Sequence, residues 1–397
     1  MHLWDILLVF SLVAWIALMI FWTWSVWGVP VLKPDTPRAL PDGPAVSILV
    51  AARNEEDALS ATLDSLLRLD YPAYDIVVVD DASSDRTGAI AEEYARRAGT
   101  QGRLKVIHNR ELPAGWSGKV HAFSLASKAA TGEWVLATDA DIVFHPATLR
   151  LAMALALEKQ VQLLSLSPQI DFRTFWEKVV LPAFTLLIST LYPLRLVNSP
   201  RSSRAIAAGA FILMRREDLE AVGGYERLRN VVIEDARMAQ LFKSHGRRIL
   251  FAVAGGLLRT RMYSDCREMW DGLSRSAFEG TGFSLAKVLL GLCGSAVVAV
   301  LPWVLAPVLG MRDVALRRPI ATDHTLLLAL GACLAGSLFY GGVLRILRVP
   351  VIYVFTLPLA TLFYQAVAVN SALLTLSGRG VPWKGRNYPQ PAREDTG

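Results

Sequence analysis

The sequence predicts an α/β domain with a mostly parallel sheet, flanked by membrane-embedded helices at both ends of the chain. Three observations lead there. Apolar strand-like runs alternate with helical patterns between Ala45 and Asp139, uncharged apolar stretches of spanning length sit at the two ends, and acidic residues gather where strands stop.

Leu3–Val29 carries one formal charge, Asp5. Trp4 marks one edge of this run and Trp22, Trp24 and Trp27 the other, the placement tryptophan takes at a membrane interface. The run is too long for the apolar core of a signal peptide, and no basic segment precedes it. A linker containing Pro30, Pro34, Pro37, Pro41 and Pro44 follows, and proline at that density favours an extended, semi-rigid chain.

The alternating segment starts with "AVSILVAA" (45–52), a buried strand, after which Asn54 can cap a helix with Glu55 and Glu56 in its first turn. "DIVVVD" (75–80) is a second strand, and Asp85 can cap the helix behind it. "RLKVIH" (103–108) and "EWVLATD" (133–139) are the third and fourth strands. Ligands of parallel sheets collect at the carboxyl ends of strands, where Asp80, Asp81, Asp139 and Asp141 fall. Further on, "ARMAQLFKSHG" (236–246) reads as a helix ending at Gly246, with Glu234-Asp235 at its start as either a cap or part of a site.

Val179–Val197 is apolar but broken by Pro182, Pro193 and Arg195; a span there would divide the globular domain between compartments, so it reads as an interfacial helix. Three membrane-embedded helices follow, in Ala286–Gly310, Thr325–Leu344 and Val349–Leu376, with Pro302 and Pro307 interrupting the first. The expected organisation is therefore an N-terminal span (1–29), a linker (30–44), a globular domain (45–285) with interfacial helices near 179–197 and 265–280, three embedded helices (286–376) and a basic tail (377–397). Lys33 and Arg38 place the globular domain in the cytoplasm by the positive-inside rule. Three full C-terminal spans would then put Arg312, Arg317 and Arg318, and the tail with Arg379, Lys384, Arg386 and Arg393, outside. A re-entrant first helix would return both to the cytoplasm and leave Arg345 and Arg348 outside.

At 53% hydrophobic residues the chain is too apolar for an ordinary soluble protein, and a membrane surface accounts for its net charge of +6. Nothing in the charge pattern suggests nucleic-acid recognition. Cys266, Cys293 and Cys333 are odd in number and lack Cys-x-x-Cys spacing, which argues against a disulfide framework or a zinc site.

Each acidic motif is weak alone. Asp-x-Asp is common in solvated turns, and Asp80–Asp85 alone is a turn with a cap. Together, two acidic strand ends of one parallel sheet can converge on one crevice. Mg²⁺ or Mn²⁺ held by one or two carboxylates, with substrate phosphates completing the shell, suits that arrangement. Lys119 follows the Gly115–Gly118 segment, where a cation could assist or simply begin a helix. His121 and His145 lie nearby without a partner at ligand spacing, so both read as structural or pocket-wall residues.

"VSILVAARNEEDALSATLDSLLRLDYPAYDIVVVDDASSDRT", "ATGEWVLATDAD" and "GGYERLRNVVIEDARMAQLFKSHG" resemble, in order and approximate spacing, the inverting family 2 glycosyltransferases over roughly Ala45–Gly280. "LPAGWSGKVHA" (112–122) and "LPAFTLLISTLYPLRLVN" (181–198) are similar to the hopanoid-biosynthesis-associated members, and bacterial carotenoid glycosyltransferases share the Gly-Trp-x-Gly-Lys segment, which leaves the subgroup open; the closing "WKGRNY" is similar to such lipid-modifying members in general. The resemblance implies a GT-A type domain at a bacterial inner membrane. It would move a sugar from a nucleotide-diphosphate donor, a UDP-sugar, to a hopanoid- or carotenoid-type lipid, with polyprenyl phosphate as the next choice. Carried over by position, Ala51, Arg53, Glu55 and Asp81 would line the nucleotide pocket, with Asp81 near the uracil. Asp139 and Asp141 would form the metal-binding Asp-x-Asp, and Asp235 would be the base. Read from its position rather than from the family, Lys119 sits where a cation could help offset the charge on the diphosphate. Processive relatives carry Gln-x-x-Arg-Trp near the membrane. Here "WDGLSRSAFEG" keeps Arg275, which can still hold the diphosphate or meet lipid headgroups, but has Ser276 in place of the tryptophan, arguing against a polysaccharide synthase. A membrane scaffold that kept the fold and lost catalysis is the competing class; the intact Asp81, Asp139, Asp141 and Asp235 weigh against it.

Overall fold

The structure is a computed structural model, and it describes residues 2–36, 42–97, 102–231, 233–319, 322–377, 381–383 and 386–388. Arg38, Arg379, Lys384 and Arg393, which bear on the orientation expected above, lie outside these residues. The strands are β1 (Val31–Leu32), β2 (Val46–Ala52), β3 (Tyr74–Asp81), β4 (Leu104–Asn109), β5 (Trp134–Asp139), β6 (Val143–Phe144), β7 (Leu163–Ser167), β8 (Gln169–Ile170), β9 (Ile212–Arg215), β10 (Ile249–Ala254), β11 (Leu258–Thr260), β12 (Val381–Trp383) and β13 (Arg386–Tyr388). The helices are α1 (Leu3–Val26), α2 (Leu59–Leu67), α3 (Thr87–Arg96), α4 (Gly118–Ala129), α5 (Thr148–Lys159), α6 (Phe175–Leu191), α7 (Leu194–Val197), α8 (Arg216–Ala221), α9 (Glu234–Ser244), α10 (Cys266–Gly280), α11 (Leu285–Ser295), α12 (Leu301–Ala315), α13 (His324–Ile346) and α14 (Leu357–Leu376).

The chain divides into two compact units. One comprises Trp27–Asp171 and Tyr192–Met262; the other holds Met1–Val26, Phe172–Leu191 and Tyr263–Gln390.

The first unit is built on an eight-stranded sheet in the order β1-β10-β7-β9-β5-β2-β3-β4. Its pairings are parallel except those of β9, which runs antiparallel between β5 and β7. The central strands are apolar on both faces because both are covered. Ile48, Val50, Ile76, Val78 and Leu136 pack with α2 and α5, while Leu49, Val77, Val79, Val135 and Ala137 pack with α4 and α9. The register aligns Ala51 with both Val79 and Asp139, so β2, β3 and β5 end together and deliver their acidic termini to one edge. A small second sheet, β6-β11-β8, lies in the same unit.

Local details depart from the sequence reading. Asn54 caps no helix. It takes a left-handed backbone (φ 51°), a conformation Asn tolerates, and its Oδ1 accepts from the Ser84 N–H at 2.9 Å, tying the loops after β2 and β3 together. The helix α2 begins only at Leu59, after Ala58. Asp85 does meet its helix, accepting from the Thr87 N–H at 2.9 Å through Oδ1, while its Oδ2 accepts from the Glu56 N–H. The linker starts as an edge strand, with Val31 opposite Val253.

Among the described residues, the second unit carries four helical segments long and apolar enough to cross a membrane: Leu3–Val26, Leu285–Ala315, His324–Ile346 and Val351–Leu376. The prolines expected to interrupt the second do not break it. A π turn at Ala296–Val300 joins α11 to α12 ahead of Pro302, and Pro307 lies inside α12. Val298 in that turn offers its carbonyl to Ser11 Oγ and to Trp15 Nε1, both at 2.9 Å, which supplies partners for an oxygen released from regular helix bonding. Both segments expected to be interfacial parts of the globular domain, α6 and α10, belong to this apolar unit; Leu186 of α6 packs with Trp15, Phe339 and Tyr340. The closing β12 and β13 form an antiparallel pair.

Candidate active site

At the carboxyl edge of the large sheet, one ammonium faces three carboxylates. Lys119 Nζ lies 2.6 Å from Asp139 Oδ1 and 2.5 Å from Glu234 Oε1. Asp235 stands beside them, with Oδ2 accepting from the Gly209 N–H at 3.0 Å and Oδ1 from the Ala236 N–H at 2.7 Å. Four chain segments far apart in sequence thus supply one cluster.

Each segment is held for a physical reason. β5 ends at Asp139 because its apolar run ends there. Lys119 is the second residue of α4, and the loop before that helix is pinned by the Ser117 N–H on the Arg229 carbonyl at 2.5 Å and by the Arg229 guanidinium over the Trp116 ring at 5.4 Å. Glu234 and Asp235 form the first turn of α9, where the helix end favours negative charge. Phe123, one turn along α4 from Lys119, stacks on Tyr225 with centroids 5.3 Å apart.

The electrostatics follow from this crowding. Burial works to lower the Lys119 pKa, but Asp139, Glu234 and Asp235 together outweigh it and hold the ammonium well above its ordinary range. Asp235 moves the other way. Desolvation first, then the Glu234 charge, raise its carboxyl to about 7 against the opposing pull of Lys119. Burial also pushes the Tyr225 phenol up, which keeps it neutral.

A second group sits at the end of β3. Asp81 is nearly sealed from solvent, and its Oδ1 accepts from Asn109 Nδ2 at 2.7 Å. Arg53 donates through Nη1 to the carbonyls of Asp81 (2.5 Å) and Ala82 (2.9 Å). Ala51 lies on β2 between these two acidic ends, and the Glu55 N–H donates to Thr87 Oγ1 at 2.7 Å. Neighbouring Asp80 meets His108 Nδ1 at 3.1 Å, and with Glu92 it raises the imidazole pKa.

Asp141 Oδ2 accepts from Thr260 Oγ1 of β11 at 3.0 Å. Among the described residues, no group of three or more His, Cys, Asp and Glu side chains could cage a metal. The Asp139–Asp141 pair fits a cation that takes its remaining ligands from substrate oxygens and water, the habit of Mg²⁺, and does not fit one bound by protein alone. His145 has a structural role: its Nδ1 accepts from the Ala147 N–H at 3.2 Å and its own N–H bonds the Leu257 carbonyl. His121 packs edge-on against Trp116, with ring centroids 5.1 Å apart. Arg275 belongs to the other unit, on α10. Sequence reasoning missed the Lys119–Glu234 pairing, Gly209, Asn109 and Thr260; each acts through a contact spanning from 26 to 119 residues of sequence, for which no local signal exists.

Comparison with known proteins covers most of this edge. Residues 47–223, which include Lys119, Asp139, Asp141 and Gly209, match the model described as Glycosyl transferase family 2. The chain carries a family 2 glycosyltransferase domain. It is 22% identical over 347 residues to 4,4'-diaponeurosporenoate glycosyltransferase of Staphylococcus aureus strain MRSA252, covering 87% of this chain and 88% of that protein. The same-named protein of strain USA300 is 22% identical over 355 residues, with the same shares covered. Among solved structures, the mannosyltransferase PcManGT from Pyrobaculum calidifontis, in complex with GDP-Man and Mn²⁺, is similar in fold, with a TM-score of 0.55 and 20% identity over 94% of this chain and 99% of that one. The sheet of this glycosyltransferase is thus GT-A-like, and the protein is a transferase enzyme.

Proposed function

We propose that this glycosyltransferase moves a sugar, with inversion, from a nucleotide-diphosphate donor to a carotenoid-type polyprenoid lipid, with Asp235 as base. The observation that carries the reading is the setting of Asp235: its carboxylate is fixed by two backbone N–H groups beside the Lys119–Asp139 pair, where desolvation and the Glu234 charge raise its pKa to about 7. An ordinary aspartate near 3.9 is a weak base at neutral pH; one near 7 combines useful ionisation with proton affinity.

In this reading the acceptor oxygen attacks the anomeric carbon, the bond from that carbon to the diphosphate breaks with its electron pair, and Asp235 takes the acceptor's proton. Lys119 faces the charge that builds on the diphosphate. Asp139 and Asp141 would hold Mg²⁺ or Mn²⁺, which as a Lewis acid supplies further neutralisation of the leaving group. Asp81, Asn109 and Arg53 shape the nucleotide pocket, with a UDP-sugar as donor. A lipid acceptor is supported by four apolar helices of spanning length and by relatives named for a carotenoid acid. Lys33 supports placing the transferase domain in the cytoplasm of a bacterial inner membrane.

Mass spectrometry of lipids from cells with and without the gene tests this directly. Loss of one hexosylated polyprenoid, restored by purified protein with a UDP-sugar and Mn²⁺ or Mg²⁺, is the expected result. Unchanged lipids and no turnover of any nucleotide sugar would overturn it.

A further inference from the structure

Gly209 lies just ahead of β9, and its chemistry is set by what it lacks. Its backbone is pinned on both sides: the Ala208 N–H bonds Ser165 Oγ at 2.8 Å, and the Phe211 N–H bonds the Ala208 carbonyl at 3.0 Å. Its φ lies outside the left-handed region, so the conformation does not demand glycine. The space does. A Cβ at this position would stand 3.1 Å from Asp139 Oδ2, 3.3 Å from Lys119 Nζ and 3.5 Å from Asp235 Oδ2. Three charged groups from three other segments therefore converge on the point where any other residue would begin its side chain.

We propose that Gly209 is a positioning residue for glycosyl transfer: its bare Cα leaves the space in which the sugar passes from diphosphate to acceptor, and its N–H aims the proton-accepting oxygen of Asp235 into that space. The inference rests on the reading of this cluster as the transfer site, and it adds a residue that motif reasoning does not reach. In that reading Lys119 and Asp139 serve the leaving side of the reaction and Asp235 the accepting side, and a Cβ on residue 209 would meet all three. During transfer the bond between the acceptor oxygen and the anomeric carbon forms, the bond to the diphosphate oxygen breaks with its electron pair, and the proton goes to Asp235 Oδ2. The Gly209 N–H holds that oxygen at 3.0 Å, fixing the carboxylate's rotation. A methyl group here would press on Asp139 and Lys119 and displace the anomeric carbon, while the nucleoside, bound at Asp81 and Asn109, would keep its contacts.

The experiment compares full-length wild type and Gly209→Ala in detergent or nanodiscs. It measures turnover of the nucleotide sugar with extracted lipid and, separately, the Kd of the nucleoside diphosphate alone. The expected result is a fall in kcat of about 10-fold, because the neighbours must give by a few tenths of an ångström where a misplacement of about 1 Å costs about 100-fold, with the nucleoside-diphosphate Kd unchanged within about 3-fold. A kcat within about 3-fold of wild type, or an equal loss of nucleoside-diphosphate binding, overturns the proposal. If the variant does not fold, hydrogen exchange in the wild type decides. The peptide carrying Gly209 should be slowed by the nucleotide sugar beyond the effect of the nucleoside diphosphate, and equal protection overturns the proposal. An active wild type with an equally active variant refutes Gly209 alone, whereas a wild type inactive on every nucleotide sugar refutes the functional reading and this inference with it.

Discussion

At the end of β3, Asp81 is almost sealed from solvent, and the neutral amide of Asn109 occupies its Oδ1. At the end of β5, two strands away across the same sheet, Asp139 is about a third exposed and meets the ammonium of Lys119, which is shared with Glu234. The first arrangement spends directional hydrogen bonds on a fixed shape. The second packs one positive charge among three carboxylates, and the excess negative charge is relieved by raising the proton affinity of Asp235. A pocket that recognises a ligand needs the former, because hydrogen-bond geometry discriminates. A centre that transfers a proton needs the latter, because crowded charge tunes basicity. Substitutions at the two ends should therefore act differently, on turnover at β5 and on donor binding at β3.

The largest effect is expected at the reactive end. Asp235→Asn keeps the shape and removes the base, so kcat should fall by about 10³-fold, within the range general-base catalysis supplies, while donor binding is retained. Lys119→Met should cost about 100-fold in kcat/KM by leaving the diphosphate charge and the Asp139–Glu234 pair uncompensated. Steady-state kinetics paired with nucleoside-diphosphate binding measures both. Loss of binding with unchanged kcat in Asp235→Asn would erase the contrast between the two ends. At the recognition end, Asn109→Ala should raise the donor KM about 10-fold, the effect of an unsatisfied buried carboxylate oxygen costing roughly 1.4 kcal/mol, with kcat within about 2-fold of wild type.

The sequence made these two ends unequally legible. Apolar runs marked β2, β3, β4 and β5 to within a residue or so, and β2, β3 and β5 are buried almost throughout because a strand covered on both sides needs continuous hydrophobicity. The start of α9 was visible as an acidic pair before an amphipathic run ending at Gly246. What stayed hidden depends on β9. That strand enters antiparallel between β5 and β7 and brings Gly209 to Asp139 and Asp235, a placement that nothing local in "AIAAGAFILMRR" announces. Asn54 was misread for a related reason: its side chain suits a helix cap, but the better partner, the Ser84 N–H, lay 30 residues away. The apolar character of α6 was plain, whereas its grouping with the spanning helices rests on side-chain packing that composition does not encode.

The smallest effect is the sharpest test of the electrostatic half of the contrast. Asp235 must be ionised to accept a proton, so kcat/KM of the free enzyme should rise with pH through about 7, the value to which its carboxyl is raised. Desolvation is the leading cause of that rise and Glu234 the next. Glu234→Gln removes a negative charge beside the base and also frees Lys119 from one partner, leaving its ammonium more fully directed at Asp235. Both changes favour the ionised carboxylate, so the acid limb should move to lower pH. Because desolvation persists, it should stop well above the ordinary aspartate range, a displacement of about one unit, or about 1.4 kcal/mol. Log kcat/KM against pH, measured for wild type and variant at one fixed metal concentration, reads this directly. A limb that stays at 7 or moves upward would mean that Glu234 does not tune the base, and the β5 end would then be a charge pair with no more bearing on proton transfer than the hydrogen-bonded aspartate of β3.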